Sequence, residues 1–260
     1  MKFVQSIWRP ASGEVDDDWA NLRECDDCWR LSNKLLNQWG DVEFWGCELG
    51  VAYAKKIGLR FNKTYYFPEE ELRGGSGRIW SAGKLYAASR QEEPFLHVDG
   101  DVFLYKWQKG DLPPFLCSHS EYFYEGRAGA WAYGTLASLF AGNSGGEVRD
   151  VLWEFFSAHR PELWNFGIFG GTSPELPKAC GKIFELASQV PSGVPPDVFL
   201  AAALEQVFVP ALMEMAGIKI TVYLNDVREA TAKGFCHLIG KTKEYPEYVE
   251  KVRGRLAALG

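Results

Sequence analysis

The chain has 260 residues, of which 47% are hydrophobic and 24% charged, and its formal net charge is −6. Such a composition suits an ordinary globular protein, and an acidic balance with no Lys/Arg block excludes a non-specific nucleic-acid binder. No apolar run approaches the roughly 18 residues of a membrane span, and "MKFVQSIWRP" lacks the apolar stretch of a secretory signal, so the expected compartment is the cytoplasm.

In chain order, "MKFVQSIW" alternates and is rich in β-formers, which predicts a first strand. "DDDWANLRECDDCWRLSNKLLNQWG" has near-helical apolar spacing and stops at Gly40. "DVEFWGCELG" reads as a short strand, "VAYAKKIGL" as a short helix, and "TYYF" as a third strand. "SAGKLYAASRQEE" is a helix, and "PFLHVDGDVFLYKW" follows as a strand. Strands alternating with helices predict a parallel α/β sheet covered on both faces, with ligands beyond the carboxyl ends of its strands.

The second half is less regular. "PFLCSHSEYFYE" reads as a strand, "EVRDVLWEFFSAHRPELW" as a helix and "WNFGIFGG" as a short strand. "SPELPKACGKIFELASQV" is a helix, and "PSGVPP" is a break. "DVFLAAALEQVFVPALMEMAG" is a strongly apolar helix, buried or kinked near Pro210. "KITVYL" is a late strand, and "EYPEYVEKVRGRLAALG" a terminal amphipathic helix. No internal repeat is present. One α/β domain with a mixed, mostly parallel sheet is the economical reading.

Six cysteines are scattered apart from Cys25 and Cys28, and no second close pair exists for zinc. "CDDC" lies in a polar, acidic stretch with no strand before it, so reduced thiols are expected. "GGSG" at 74–77 lacks the P-loop pattern, and no G-x-S-x-G elbow accompanies His119, Ser118 or Ser120. His159 reads as an exposed helix-end residue.

The informative stretch is "FLHVDGDVFLY". Its bland explanation is a β-hairpin with Asp99 and Gly100 in the turn. Its functional explanation is a metal site. Asp99 and Asp101 at a strand end can aim two carboxylates at one hard divalent cation, and Gly100 leaves room for a phosphate or ribose. "HLIGKTK" offers a third ligand in His237, followed by Gly240 for a tight loop and Lys243 for a diphosphate. An imidazole beside two carboxylates shifts the preferred ion from magnesium towards manganese. As a plain surface loop, the same segment would carry no chemistry.

"HVDGDVFL", "NFGIFGG" and "HLIGKTK", in that order, resemble the nucleotide-sugar glycosyltransferases of the GT-A fold. The likeness is to the glycogenin-like and lipopolysaccharide-galactosyltransferase-like retaining enzymes. The chain also resembles an uncharacterised bacterial group with the "QEEPFLHVDGDVF" signature. The likeness spans roughly residues 1 to 245. It implies a single GT-A-like domain, with residues 1–110 forming a nucleotide-binding half and 111–260 an acceptor-side half. It implies that Asp99, Asp101 and His237 hold Mn2+ or Mg2+. It implies that Lys84, Gly100, Gly167, Gly240 and Lys243 border a donor such as a UDP-sugar, and that Asn165 borders the transferred sugar. Glu205 and Gln206 stand where the family has D-Q-D, and the family's K-P-W ending is absent after Lys243. Trp8 or Phe3 could stack on the base. Acceptors in this fold range from saccharides to peptides, proteins and small molecules; the oligomeric state is not encoded in any motif.

Retention of configuration follows from the resemblance, whereas an inverting reaction would need a carboxylate base such as Glu205 or Glu121. Two rival readings use the same residues: a metal-dependent nucleotidyl or phosphoryl transferase or hydrolase, and a nucleotide-sugar-binding protein without catalysis.

Overall fold

The computed structural model describes residues 1–8, 22–68, 79–107, 110–121, 125–141, 146–190, 198–238 and 245–259. It is a mixed α/β structure. The first part runs β1 (Lys2–Ile7), α1 (Leu22–Trp39), β2 (Asp41–Gly46), α2 (Glu48–Lys56), β3 (Lys63–Tyr66), α3 (Trp80–Ser89) and β4 (Phe95–Val98). Then come β5 (Val102–Leu104), β6 (Phe115–Cys117), α4 (Glu125–Ala141), α5 (Gly146–Ala158), β7 (Ile168–Gly171) and α6 (Glu175–Ser188). The last part is α7 (Val198–Ala202), a π-helical turn (Ala203–Phe208), α8 (Val209–Met215), β8 (Ile220–Val222), α9 (Ala230–Lys233), β9 (Phe235–His237) and α10 (Pro246–Ala258).

Seven strands form the main sheet in the order β3-β2-β1-β4-β7-β6-β8, and β5 pairs with β9 in a separate two-stranded ribbon. Of the seven, β7 alone runs against its neighbours β4 and β6. The sheet is therefore mixed and mostly parallel, as the strand-helix alternation predicted. Side chains alternate between its faces. Phe3, Leu96, Val98, Leu116 and Ile168 enter one apolar cluster, together with Leu36 of α1. Val4, Phe95, Phe115 and Phe169 enter the other, with residues of α3, α6 and α8.

Two expectations are corrected, and a third, the kink of the apolar helix near Pro210, is met. "PFLHVDGDVFLYKW" is not one strand, nor is Asp-Gly the turn of a hairpin. Val98 pairs with Ile168 in the main sheet, and Val102 pairs with His237 in the ribbon. The segment around His237 is a strand rather than a loop. The long apolar helix is broken into α7, the π turn and α8. Pro210 has no N–H to give the Gln206 carbonyl four residues earlier. That carbonyl instead accepts from the Trp164 backbone N–H at 3.0 Å, which ties the broken helix to the strand-leading segment 164–167.

Among the described residues, no helix is long and apolar enough to cross a membrane.

Candidate metal centre at the end of the central strand

Asp99 follows the last residue of β4, so it stands at the carboxyl edge of the parallel strands. Because β7 is antiparallel, its leading end meets the same edge, and the Asp99 N–H donates to Gly167 O at 2.9 Å. The segment after β6 arrives there too: the Ser118 N–H donates to Asn165 O, and the Asn165 N–H donates to His119 O. A turn then carries the chain from Asp99 to Asp101 and into the ribbon. Gly234 ends α9 in the left-handed region (φ 63°) and starts β9 beside Leu104, which puts His237 opposite Val102. The Leu238 N–H donates to Asp101 O at 3.1 Å, and Leu238 packs with Leu31 and Leu35 of α1 and Val252 of α10.

Asp99, Asp101 and His237 thus converge: one ligand atom from each lies within 4.8 Å of the others. His237 Nε2 is 3.5 Å from Asp101 Oδ1. Atoms each bound to one cation at about 2.0–2.6 Å fall within such a span of one another. Asp99 Oδ1 has no hydrogen bond among the described residues, since Oδ2 takes the Lys84 ammonium. Burial raises the Asp99 carboxyl above its ordinary range, and the neighbouring Asp101 charge adds to that, while Lys84 opposes it. Two half-buried acids that repel each other beside an imidazole fit a divalent cation, and this trio is the one such cluster among the described residues.

The remaining candidates sit as follows. A Cβ at Gly167 would come within 2.5 Å of His237 Cε1 and 2.6 Å of Nδ1, so the absent side chain is the slot for that ring. A Cβ at Gly100 would overlap the Trp29 indole, so α1 fills the face that the sequence reading reserved for a phosphate or ribose. Asn165 is buried; its Oδ1 accepts from the Gly167 N–H at 2.9 Å, and its Nδ2 donates to Glu121 Oε1 at 2.6 Å. Glu205 is fully buried on the π turn, and Gln206 donates to it at 3.2 Å. Lys84 is buried on α3, 2.9 Å from Asp99 Oδ2 and 3.1 Å from Glu205 Oε2. Gly240, Lys243 and the "GGSG" stretch lie outside the described residues. Cys28 is buried on α1. Phe3 packs edge-on against Trp107 in the core, and Trp8 against Phe67.

Several supporting residues escaped the sequence reading. Ser32 and Asn33 are buried on α1, and Gln5 is buried on β1. Gln5 donates to Ser32 Oγ at 3.2 Å, Ser32 to the Asp99 carbonyl at 3.2 Å, and Asn33 to Gln5 Oε1 at 3.2 Å. On the opposite face, His97 Nε2 is 2.9 Å from Ser6 Oγ, and its Nδ1 is 3.7 Å from Asp99 Oδ1. Burial, helped by Lys84, lowers the His97 pKa well below its usual value, so the ring is neutral. The available signal was polar residues at core-phased positions of a strand and a helix, in "KFVQSI" and "RLSNKLL".

A family model for DUF6734, a family of unknown function, matches residues 1–258. The chain belongs to that family. No curated protein sequence matches it significantly. Among solved structures, it is similar to mouse xyloside xylosyltransferase 1 in its apo form, with a TM-score of 0.40 and 10% identity over 85% of each chain. It is also similar to an active-site mutant of LgtC, with a TM-score of 0.43 and 12% identity over 85% of this chain and 72% of that one.

Proposed function

We propose that this DUF6734 protein is a metal-dependent glycosyltransferase that moves a sugar from a nucleoside-diphosphate sugar, most simply a UDP-sugar, to an acceptor hydroxyl. The observation that carries this reading is the convergence of Asp99, Asp101 and His237 at the carboxyl edge of a mostly parallel sheet. The D-x-D and His ligands stand in the order and setting that the resemblance to GT-A enzymes implies.

In this reading Asp99, Asp101 and His237 hold Mn2+ or Mg2+. A bound divalent ion supplies Lewis-acid stabilisation of the charge that grows on the leaving diphosphate. Lys243 and the Gly240 backbone add donors to that diphosphate. Residues 1–110 carry the nucleotide, and residues 111–260 carry the acceptor. Asn165, held by Glu121 and by the Gly167 N–H, borders the transferred sugar.

The reaction proceeds with retention, the acceptor attacking on the face that the diphosphate leaves. Two features support this. Glu205 is sealed from solvent and faces Lys84, and Glu121 is buried and bound by Asn165. Neither is an open carboxylate poised to take a proton from an acceptor.

A thermal-shift screen of nucleotide sugars with and without Mn2+, followed by an assay for nucleoside-diphosphate release, tests the proposal. A donor that raises Tm only with the metal, and is then turned over, supports it. Stabilisation and turnover of nucleoside triphosphates, with no response to any sugar nucleotide, would replace it with phosphoryl transfer.

A further inference from the structure

Lys84 and Glu205 were both expected to face the donor or acceptor, yet both are buried. The Lys84 ammonium carries three N–H groups. It donates to Asp99 Oδ2 at 2.9 Å, to Phe166 O at 3.3 Å and to Glu205 Oε1 at 3.4 Å, with Glu205 Oε2 3.1 Å away as an ion-pair contact. Those acceptors take up the donor capacity that a phosphate would need. Glu205, at 0% exposure, also accepts from Gln206 at the same Oε1. The two residues form a closed unit behind Asp99, the one metal-ligand candidate attached to the main sheet.

The charges around this unit are informative. Three acidic side chains, Asp99, Asp101 and Glu205, face the single ammonium of Lys84. The balance of −2 matches one divalent cation. A lysine placed against a metal-binding carboxylate would ordinarily compete with the metal for it. Here Glu205 shares the ammonium, and Lys84 engages Oδ2 while Oδ1 remains without a hydrogen bond among the described residues.

We infer that Lys84 and Glu205 are positioning residues. They act through Asp99 as a balanced pair, Glu205 offsetting the Lys84 ammonium so that the net charge of the centre suits a divalent ion, and they touch neither donor nor acceptor. The inference rests on the cation-site reading of Asp99, Asp101 and His237, but it requires no particular sugar or acceptor.

The test is Mn2+ binding to the full chain, measured by calorimetry and by electron paramagnetic resonance without any donor. It is run at about pH 8, above the value of about 7 to which burial pushes the Glu205 carboxyl. Three proteins are compared: the natural chain, Glu205→Gln, and the double variant Lys84→Met/Glu205→Gln. Glu205→Gln leaves Lys84 unshared and the centre at −1, and should weaken Mn2+ binding by about tenfold or more. The double variant restores −2 and should bind within about threefold of the natural chain, with the same manganese spectrum. Unchanged affinity in Glu205→Gln would overturn the inference. So would a double variant that stays folded by circular dichroism but binds as weakly as the single one. If Glu205→Gln does not fold, the double variant alone decides, and its failure to bind Mn2+ counts against the inference. A natural chain that binds no Mn2+ would instead overturn the underlying metal-site reading, and this inference with it.

Discussion

Asp99 and Asp101 stand two residues apart and would share one cation, yet the molecule builds their surroundings differently. Asp99 belongs to the main sheet. Its carbonyl is held from α1 through Ser32 and Gln5, and its carboxylate from α3 through Lys84, with His97 alongside. Asp101 belongs to the ribbon of β5 and β9, three residues per strand, clamped under α1 and α10. The first environment is a mostly buried polar network in which Lys84 ties the Asp99 and Glu205 carboxylates together. The second is a small packed unit in which the Asp101 and His237 side chains meet at 3.5 Å, beyond a good hydrogen bond. The contrast teaches that removing a group from the sheet side should cost folding stability as well as metal affinity, whereas removing one from the ribbon side should cost metal affinity with little loss of stability.

The sharpest way to break that contrast is Lys84→Met. It leaves the buried Glu205 and the half-buried Asp99 carboxylates without their counter-ion, and breaking a buried pair costs about 3–5 kcal/mol. Urea unfolding should record a loss of that order; a stability equal to the natural chain would show the network to be dispensable. Asp101→Ala should do the reverse. Mn2+ affinity should fall by at least about 100-fold, more than the 10–100-fold typical of losing an outer partner of a ligand, while Tm moves little. Retained Mn2+ binding in calorimetry would remove Asp101 from the centre.

Gly167→Ala sharpens the comparison at the seam between sheet and ribbon. The new methyl would occupy the His237 slot, and overpacking of this kind costs about 1–3 kcal/mol. The ring should be displaced and Mn2+ binding weakened by about tenfold, approaching His237→Ala. An affinity like that of the natural chain would mean that His237 does not need this slot to reach the metal.

The smallest effect is a pH slope. Burial pushes the Glu205 carboxyl from 4.5 up to about 7, with the Asp99 charge adding to the rise and Lys84 opposing it. The folded chain therefore keeps a proton that the unfolded chain has already released between those values. By linkage, metal-free stability should fall as pH rises from about 4.5 to about 7, and Glu205→Gln should flatten that slope. Denaturant midpoints measured across this range check both; an unchanged slope in the variant would assign the effect to Asp99, which is raised in the same direction.

Much of the fold was legible in the sequence. The alternation of "KFVQSI", the helical phasing up to Gly40 and the run of strand-helix signals fixed the parallel part of the sheet, because local propensity and burial agreed there. The acids Asp99 and Asp101 and the distant His237 were legible as chemistry, since charged residues flanked by core-like runs need a reason. What was illegible depended on partners far away in the chain. The three-residue strand Phe235–His237 has no periodicity of its own and exists because it pairs with Val102–Leu104. The π turn follows from Pro210 locally, but its stability comes from the Trp164 N–H that takes the freed carbonyl.

By itself, then, the sequence determined the class of sheet, the identity of the candidate ligating groups and the position of the helix break, because each is written in residue type and short-range spacing. Only the tertiary structure decided that Asp-Gly-Asp crosses from one sheet to another, that Trp29 fills the space beside Gly100, and that Lys84 is sealed against Glu205. Those outcomes turn on which buried charge finds which partner over more than a hundred residues of chain. Burial leaves an unpaired charge no stable alternative, and only the folded packing says where the partner stands.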